Sequence, residues 1–371
     1  MVTSFIIAAL LIILGIIFTK SKIVSFLILV FMWIFYSLNT YAGDYEVYYV
    51  VYTDMDPRSF FSVFEPGFSL IMLISRKLQL PFLGFKMILG TIFIILLYCA
   101  VKRYTHHTAC VLSIIMVFPF IYYTSVLRAG IAMTIISLAF KHILSEHRHG
   151  ILKYVLIILF AMLFHYSSFF FLTFLLVKGK LTRKKVAFFG LMLVALFVSF
   201  YSELLLNIAN KITTNSDILD WLSPSISDNR LNLTGKMAQI ILVSLIIMAT
   251  YFMFSMQVVE LYSPLTYRVG ASRSLYVIRK LFTADLLLLL FIPFFLITDV
   301  WMRIVWVVIP INVMVWSNTI QSLRTRRMRW TEIFVLAFCI ILLIYSNNAY
   351  FGTKNSFEFM FKNNVIFNLL P

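Results

Sequence analysis

Carboxylates are scarce in this chain. Only 15 of its 371 residues are acidic, against 31 lysines and arginines, and charges of both signs reach just 12%. Soluble domains carry about 25% charged and roughly 45–50% apolar residues. Here 62% are hydrophobic and the mean hydropathy is +0.96. A soluble globular domain is excluded, and an integral membrane protein is expected. Cysteine is nearly missing too. Cys99, Cys110 and Cys339 all stand in apolar segments with no CxxC spacing, which argues against a disulfide framework or a zinc site. No fixed-period repeat and no low-complexity linker is present. The opening "MVTSFIIAALLIILGIIFTK" has neither a positive n-region nor a small-residue cleavage site. It reads as a retained first helix, not a removed signal peptide.

What the chain does have is apolar runs of bilayer length, about 17–25 residues each, enough to cross ~30 Å of hydrocarbon. Candidate spans fall at 2–19, 23–41, 82–101, 108–124, 128–143, 151–165, 167–178, 186–202, 236–255, 281–297, 302–320 and 331–347. The expected fold is all-α: a polytopic helical bundle of about 12 transmembrane helices (roughly 10–14), forming a single transmembrane domain over 1–371. Segment 66–80, "PGFSLIMLISRKLQL", is short and interrupted by Arg76-Lys77. It is expected to be a re-entrant or interfacial helix.

The basic residues orient the bundle. With the N-terminus outside, twenty of the 31 cations fall in inner loops, around Lys20, Lys102, Lys141, Lys184, Arg279 and Arg326. Only Glu146, Glu260, Asp285 and Glu332 join them among the acids. This is the positive-inside bias. It accounts for the +16 net charge without invoking nucleic acid. Stretches 42–65 and 203–235 then become external loops.

Five segments place polar chemistry at that outer side. "GDYEVYYVVYTDMD" sets Asp44 among Tyr45, Tyr48 and Tyr49, with Asp44 and Tyr48 one helical turn apart. It reads either as an interfacial aromatic belt or as a carboxylate and flat rings suited to sugars. "FEPGF" puts Glu65 at a helix start, as a cap or as a second carboxylate of the same cavity. "LRAGIA" carries Arg128 into the outer end of an apolar helix, and "WMR" repeats this with Arg303. Each arginine is read either as snorkelling or ion-paired, Arg303 with Asp299, or as a fork for phosphate oxygens. "FHYSS" breaks a long apolar stretch at His165, a candidate for proton transfer near neutral pH. Asp54-Met55-Asp56 has metal-ligand spacing but stands in a loop, and no metal is assigned.

The order "DYEVYY", "EPGF", "LRAGIA", "FHYSS" resembles the EpsG family of bacterial exopolysaccharide polymerases, which share a role with Wzy-type O-antigen and capsule polymerases. The resemblance implies a glycosyltransferase of the bacterial cytoplasmic membrane with its site facing outside. It would move a growing glycan from undecaprenyl diphosphate to an incoming lipid-linked oligosaccharide unit. On this chain it implies Arg128 and Arg303 gripping diphosphates, His165 or Asp44 accepting the hydroxyl proton, and Glu65 binding sugar or orienting the base. No cofactor is called for. Membrane lipid, a chain-length regulator and a flippase are the implied partners. Rival readings are a multi-span transferase using lipid-phosphate sugars and a flippase or transporter of about twelve helices.

Overall fold

The computed structural model describes residues 2–40, 44–145, 149–178, 233–261, 269–292, 303–322 and 337. Helix follows helix: α1 (Val2–Ile17), α2 (Lys22–Leu38), α3 (Tyr45–Asp54), α4 (Phe60–Val63), α5 (Pro66–Lys77), α6 (Phe82–Tyr104), α7 (Thr108–Val117), α8 (Phe120–Ser125), α9 (Leu127–Leu144) and α10 (Gly150–Met162). A 3-10 helix, Tyr166–Lys178, precedes α11 (Leu233–Leu261), α12 (Val269–Leu288) and α13 (Arg303–Ser322). Among the described residues there is no strand, and the all-α membrane reading holds. Four helices are long and apolar enough to cross a bilayer: Phe82–Tyr104, Leu127–Leu144, Gln239–Val259 and Arg303–Ile320.

Local chemistry explains several boundaries. Ser21 caps α2 by accepting the Val24 N–H. Pro66 opens α5, where a missing N–H costs nothing. The 12 residues of α5 rise only about 18 Å, too little to cross a membrane. The expected span 108–124 is divided into α7 and α8 at Pro119, which cannot donate to a continuing helix. The stretch 42–65, expected as a loop, carries α3 and α4 over its described part. Helix α12 starts at Val269, twelve residues before the expected span at 281. In its polar half, Lys280 Nζ donates to the Val177 carbonyl at 2.8 Å and lies over the Tyr276 ring, which gives that cation partners within the helix bundle. Expected spans 186–202 and 331–347, apart from residue 337, lie outside the described residues, as does 203–232.

The described helices gather into two compact units. In the first, which takes in Met1–Leu175 and Ile309–Leu323, α9 packs on α6 and α10, α2 on α6 and α7, and α1 on α7. The apolar window of α9 is 83% buried and that of α6 only 39%. So α9 is a core helix, and α6 keeps a face for lipid. Tyr36 of α2 stacks on Phe93 of α6 at 4.6 Å and donates to the Leu127 carbonyl at 3.0 Å, tying the start of α9 to both helices. The second unit, Leu176–Val308 with a later segment, pairs α11 with α12 through Phe254 stacked on Phe282.

Candidate functional site

The site begins where two helix ends meet. Helix α10 ends at Met162, and its closing turn leaves the Leu163 carbonyl without an intrahelical partner. The Gly67 N–H of α5 donates to that oxygen at 2.7 Å, and Phe68 N–H at 3.4 Å. The orphan donors of one helix start thus satisfy an orphan acceptor of another helix end. The consequence is positional. Glu65, the residue before α5, comes to stand beside His165, just past α10.

Glu65 does not cap its own helix. Its carboxylate serves three other donors instead. Arg128 Nη1 lies 2.6 Å from Oε2, while His165 Nδ1 and the Tyr166 N–H each lie 3.2 Å from Oε1. The Glu65 side chain is 4% exposed, His165 16% and Arg128 23%. Burial by itself raises the Glu65 carboxyl. The His165 hydrogen bond and the Arg128 charge outweigh it and hold the group at about 2, below its ordinary 4.5. Glu65 is therefore held as an anion near neutral pH and is a very weak base.

Arg128 enters from the first turn of α9. Its Nε lies 3.3 Å from the Tyr48 hydroxyl, and that hydroxyl lies 3.4 Å from Asp44 Oδ2. Its guanidinium stands 4.7 Å from the Phe64 ring centroid and 5.8 Å from that of Tyr48. Such cation–ring contacts are worth about 0.5–2 kcal/mol each. Nη2 makes no hydrogen bond among the described residues. Val126, ahead of α9, offers no side-chain cap, so the first-turn N–H groups lack one. A partly exposed guanidinium at the N-terminal turn of a helix favours an anion.

Asp44, Tyr48, Glu65, Arg128 and His165 therefore converge. Tyr48 takes part by its hydroxyl, since its ring is 1% exposed between Phe64 and Phe68. Tyr45 and Tyr49 lie elsewhere on α3, stacked on one another at 6.1 Å and edge-on to Phe82. Arg303 opens α13 in the second unit. Its expected partner Asp299 lies outside the described residues. Sequence reasoning missed the Tyr166 and Gly67 amides, which no sequence signal marks. It also missed Lys86, a lone cation in the apolar run 82–101 that a search for charge at membrane depth would have raised.

A model described as the EpsG family matches residues 22–362. The chain belongs to the EpsG family. EpsG membership supports a polysaccharide polymerase and, with the apolar helices, a multi-pass membrane protein. All five cluster residues fall inside the matched stretch. No curated protein and no solved structure matches the chain.

Two outcomes follow from this geometry. A Cβ on Gly67 would stand 2.8 Å from the Leu163 carbonyl oxygen and 3.0 Å from the Leu163 Cβ. Gly67→Ala must push α5 off α10 and carry Glu65 away from His165. Elongation is expected to fall about 10²-fold, the usual cost of a misplacement near 1 Å, while the protein still accumulates in membranes. The second outcome concerns acid. A carboxyl held below its ordinary value stabilises the fold above about pH 4.5, and that gain is lost as pH falls toward 2. Thermal unfolding in detergent from about pH 5 to about pH 2 should drop more steeply for wild type than for Glu65→Gln.

Proposed function

We propose that the chain polymerises lipid-linked oligosaccharide repeat units at the outer face of the cytoplasmic membrane. The growing glycan leaves its undecaprenyl diphosphate for a hydroxyl of the incoming unit. The observation that carries this reading is the Arg128–Glu65–His165 arrangement, in which one buried carboxylate orders both a guanidinium and an imidazole. Glu65, engaged with Nδ1, orients the ring so that Nε2 is the basic atom. His165 takes the proton of the attacking hydroxyl. The hydroxyl oxygen bonds to the anomeric carbon as the bond from that carbon to the diphosphate oxygen breaks. The electron pair departs on the diphosphate, whose growing charge Arg128 and the α9 amides stabilise. Diphosphate is a good leaving group, so no strong general acid is required. Asp44 anchors Tyr48 against Arg128. Glu65 is assigned to orientation because a carboxyl near 2, already bound to three donors, has little basicity left. The Lys/Arg bias supports the outward orientation.

The test is elongation by the purified protein on defined lipid-linked repeat units, read as product length. His165→Ala is expected to lower the rate by about 10²–10⁴ while substrate binding persists, with single units accumulating on lipid. Normal elongation by that variant defeats the reading. Lipid-linked units stranded on the cytoplasmic face of cells lacking the protein would point to a flippase instead.

A further inference from the structure

Lys86 lies in the second turn of α6 and is 1% exposed. Its Nζ donates to the main-chain carbonyl of Asn39 and stands 5.0 Å from the Tyr45 ring centroid. Among the described residues no carboxylate forms an ion pair with it. A buried ammonium without a counter-charge is costly. A methionine would fill the same volume without that cost. What the Lys86 amine supplies, and a methionine would not, is a pair of attachments, and these fall on either side of one connection. Asn39 is the C-cap of α2, at the negative end of the helix dipole. Tyr45 is the first residue of α3. Side chains on a helix lean toward its N-terminus, which brings the Lys86 stem to the end of α6 where both partners lie. One turn further along α3, Tyr48 reaches Arg128.

We propose that Lys86 is a positioning residue for the polymerase site. It pins the end of α2 to the start of α3 and so sets where Tyr48 and Asp44 meet Arg128. The role rests on the polymerase reading above. Tyr45 serves in it as the ring end of a tether, which differs from a sugar platform in a measurable way. A tether acts on kcat, whereas a platform acts on KM.

The experiment is a double-mutant cycle on the full-length protein with lipid-linked repeat units, together with thermal unfolding in detergent. Lys86→Met should lower kcat about tenfold with KM within about twofold of wild type. Lys86→Arg should recover most of the loss. Tyr48→Phe, costly in wild type, should cost less than about twofold in the Lys86→Met background, because the contact it removes is already misplaced. A merely structural role predicts additive losses that track the unfolding temperature, and that result overturns the proposal. If Lys86→Met does not accumulate, Tyr45→Leu enters the same cycle with the same expectation. A raised KM with unchanged kcat there overturns the tether. Wild-type turnover by Lys86→Met beside an inactive Arg128→Lys sinks only the positioning role. Wild-type turnover by both sinks the polymerase site itself.

Discussion

Arg128→Lys is expected to abolish processive elongation, lowering the rate by about 10²–10³ with single repeat units left on lipid. The positive charge survives this change, so the effect must come from geometry. The guanidinium reaches Glu65 with Nη1 and Tyr48 with Nε, and under the proposed mechanism Nη2 is the donor to an incoming oxygen. A lysine has a single ammonium on a flexible stem and cannot hold those directions at once. Lysine is also the better probe. Arg128→Ala would take the charged partner from the buried Glu65 carboxylate, at a cost of up to about 3–5 kcal/mol, and confuse lost folding with lost function. Membrane level and unfolding temperature near wild type, with elongation gone, is the predicted pair of results. Elongation within a few-fold of wild type would remove Arg128 from the diphosphate site.

Glu65→Gln should be at least as damaging, by about 10²–10⁴ in kcat. The amide is almost the same size, so packing is kept. It loses the charge that Arg128 and His165 share. Its one carbonyl oxygen cannot serve Arg128 on one side and both His165 and the Tyr166 N–H on the other. If its NH2 turns toward His165, Nδ1 becomes an acceptor and the tautomer needed for proton abstraction is lost. Glu65→Asp keeps the charge but falls one methylene short, and should retain more activity than Gln. Equal rates for Gln and wild type would show that the carboxylate orders nothing that matters to turnover. The Gly67→Ala result belongs beside this one. It displaces the same carboxylate without altering it, so the two variants should share a phenotype.

Several features were legible in residue order. "FHYSS" announced the break after α10, because a polar run interrupts an apolar one. "EPGF" announced the start of α5, because proline suits a first turn and little else in a helix. Arg128 stood out since a cation in an apolar helix carries a large desolvation cost. The role of Tyr48 was not legible. Its spacing from Asp44 was visible, but four tyrosines crowd α3, and only packing decides which ring is buried between Phe64 and Phe68 and which stacks on Phe82. The start of α12 was misjudged for a related reason. Arg279 and Lys280 looked like a loop, and the Val177 carbonyl that partners the Lys280 ammonium lies 103 residues away.

The sequence alone determined that this is a membrane-spanning helical protein, and it picked out the ionisable residues worth attention. Both follow from local sums: hydropathy over a window, and the cost of each charge in hydrocarbon. Tertiary structure alone decided that Glu65 is the hub, that it meets a histidine 100 residues away, and that Lys86 faces a ring instead of a carboxylate. Hydrogen-bond partners are settled by which helix ends abut, and that depends on packing along the whole chain.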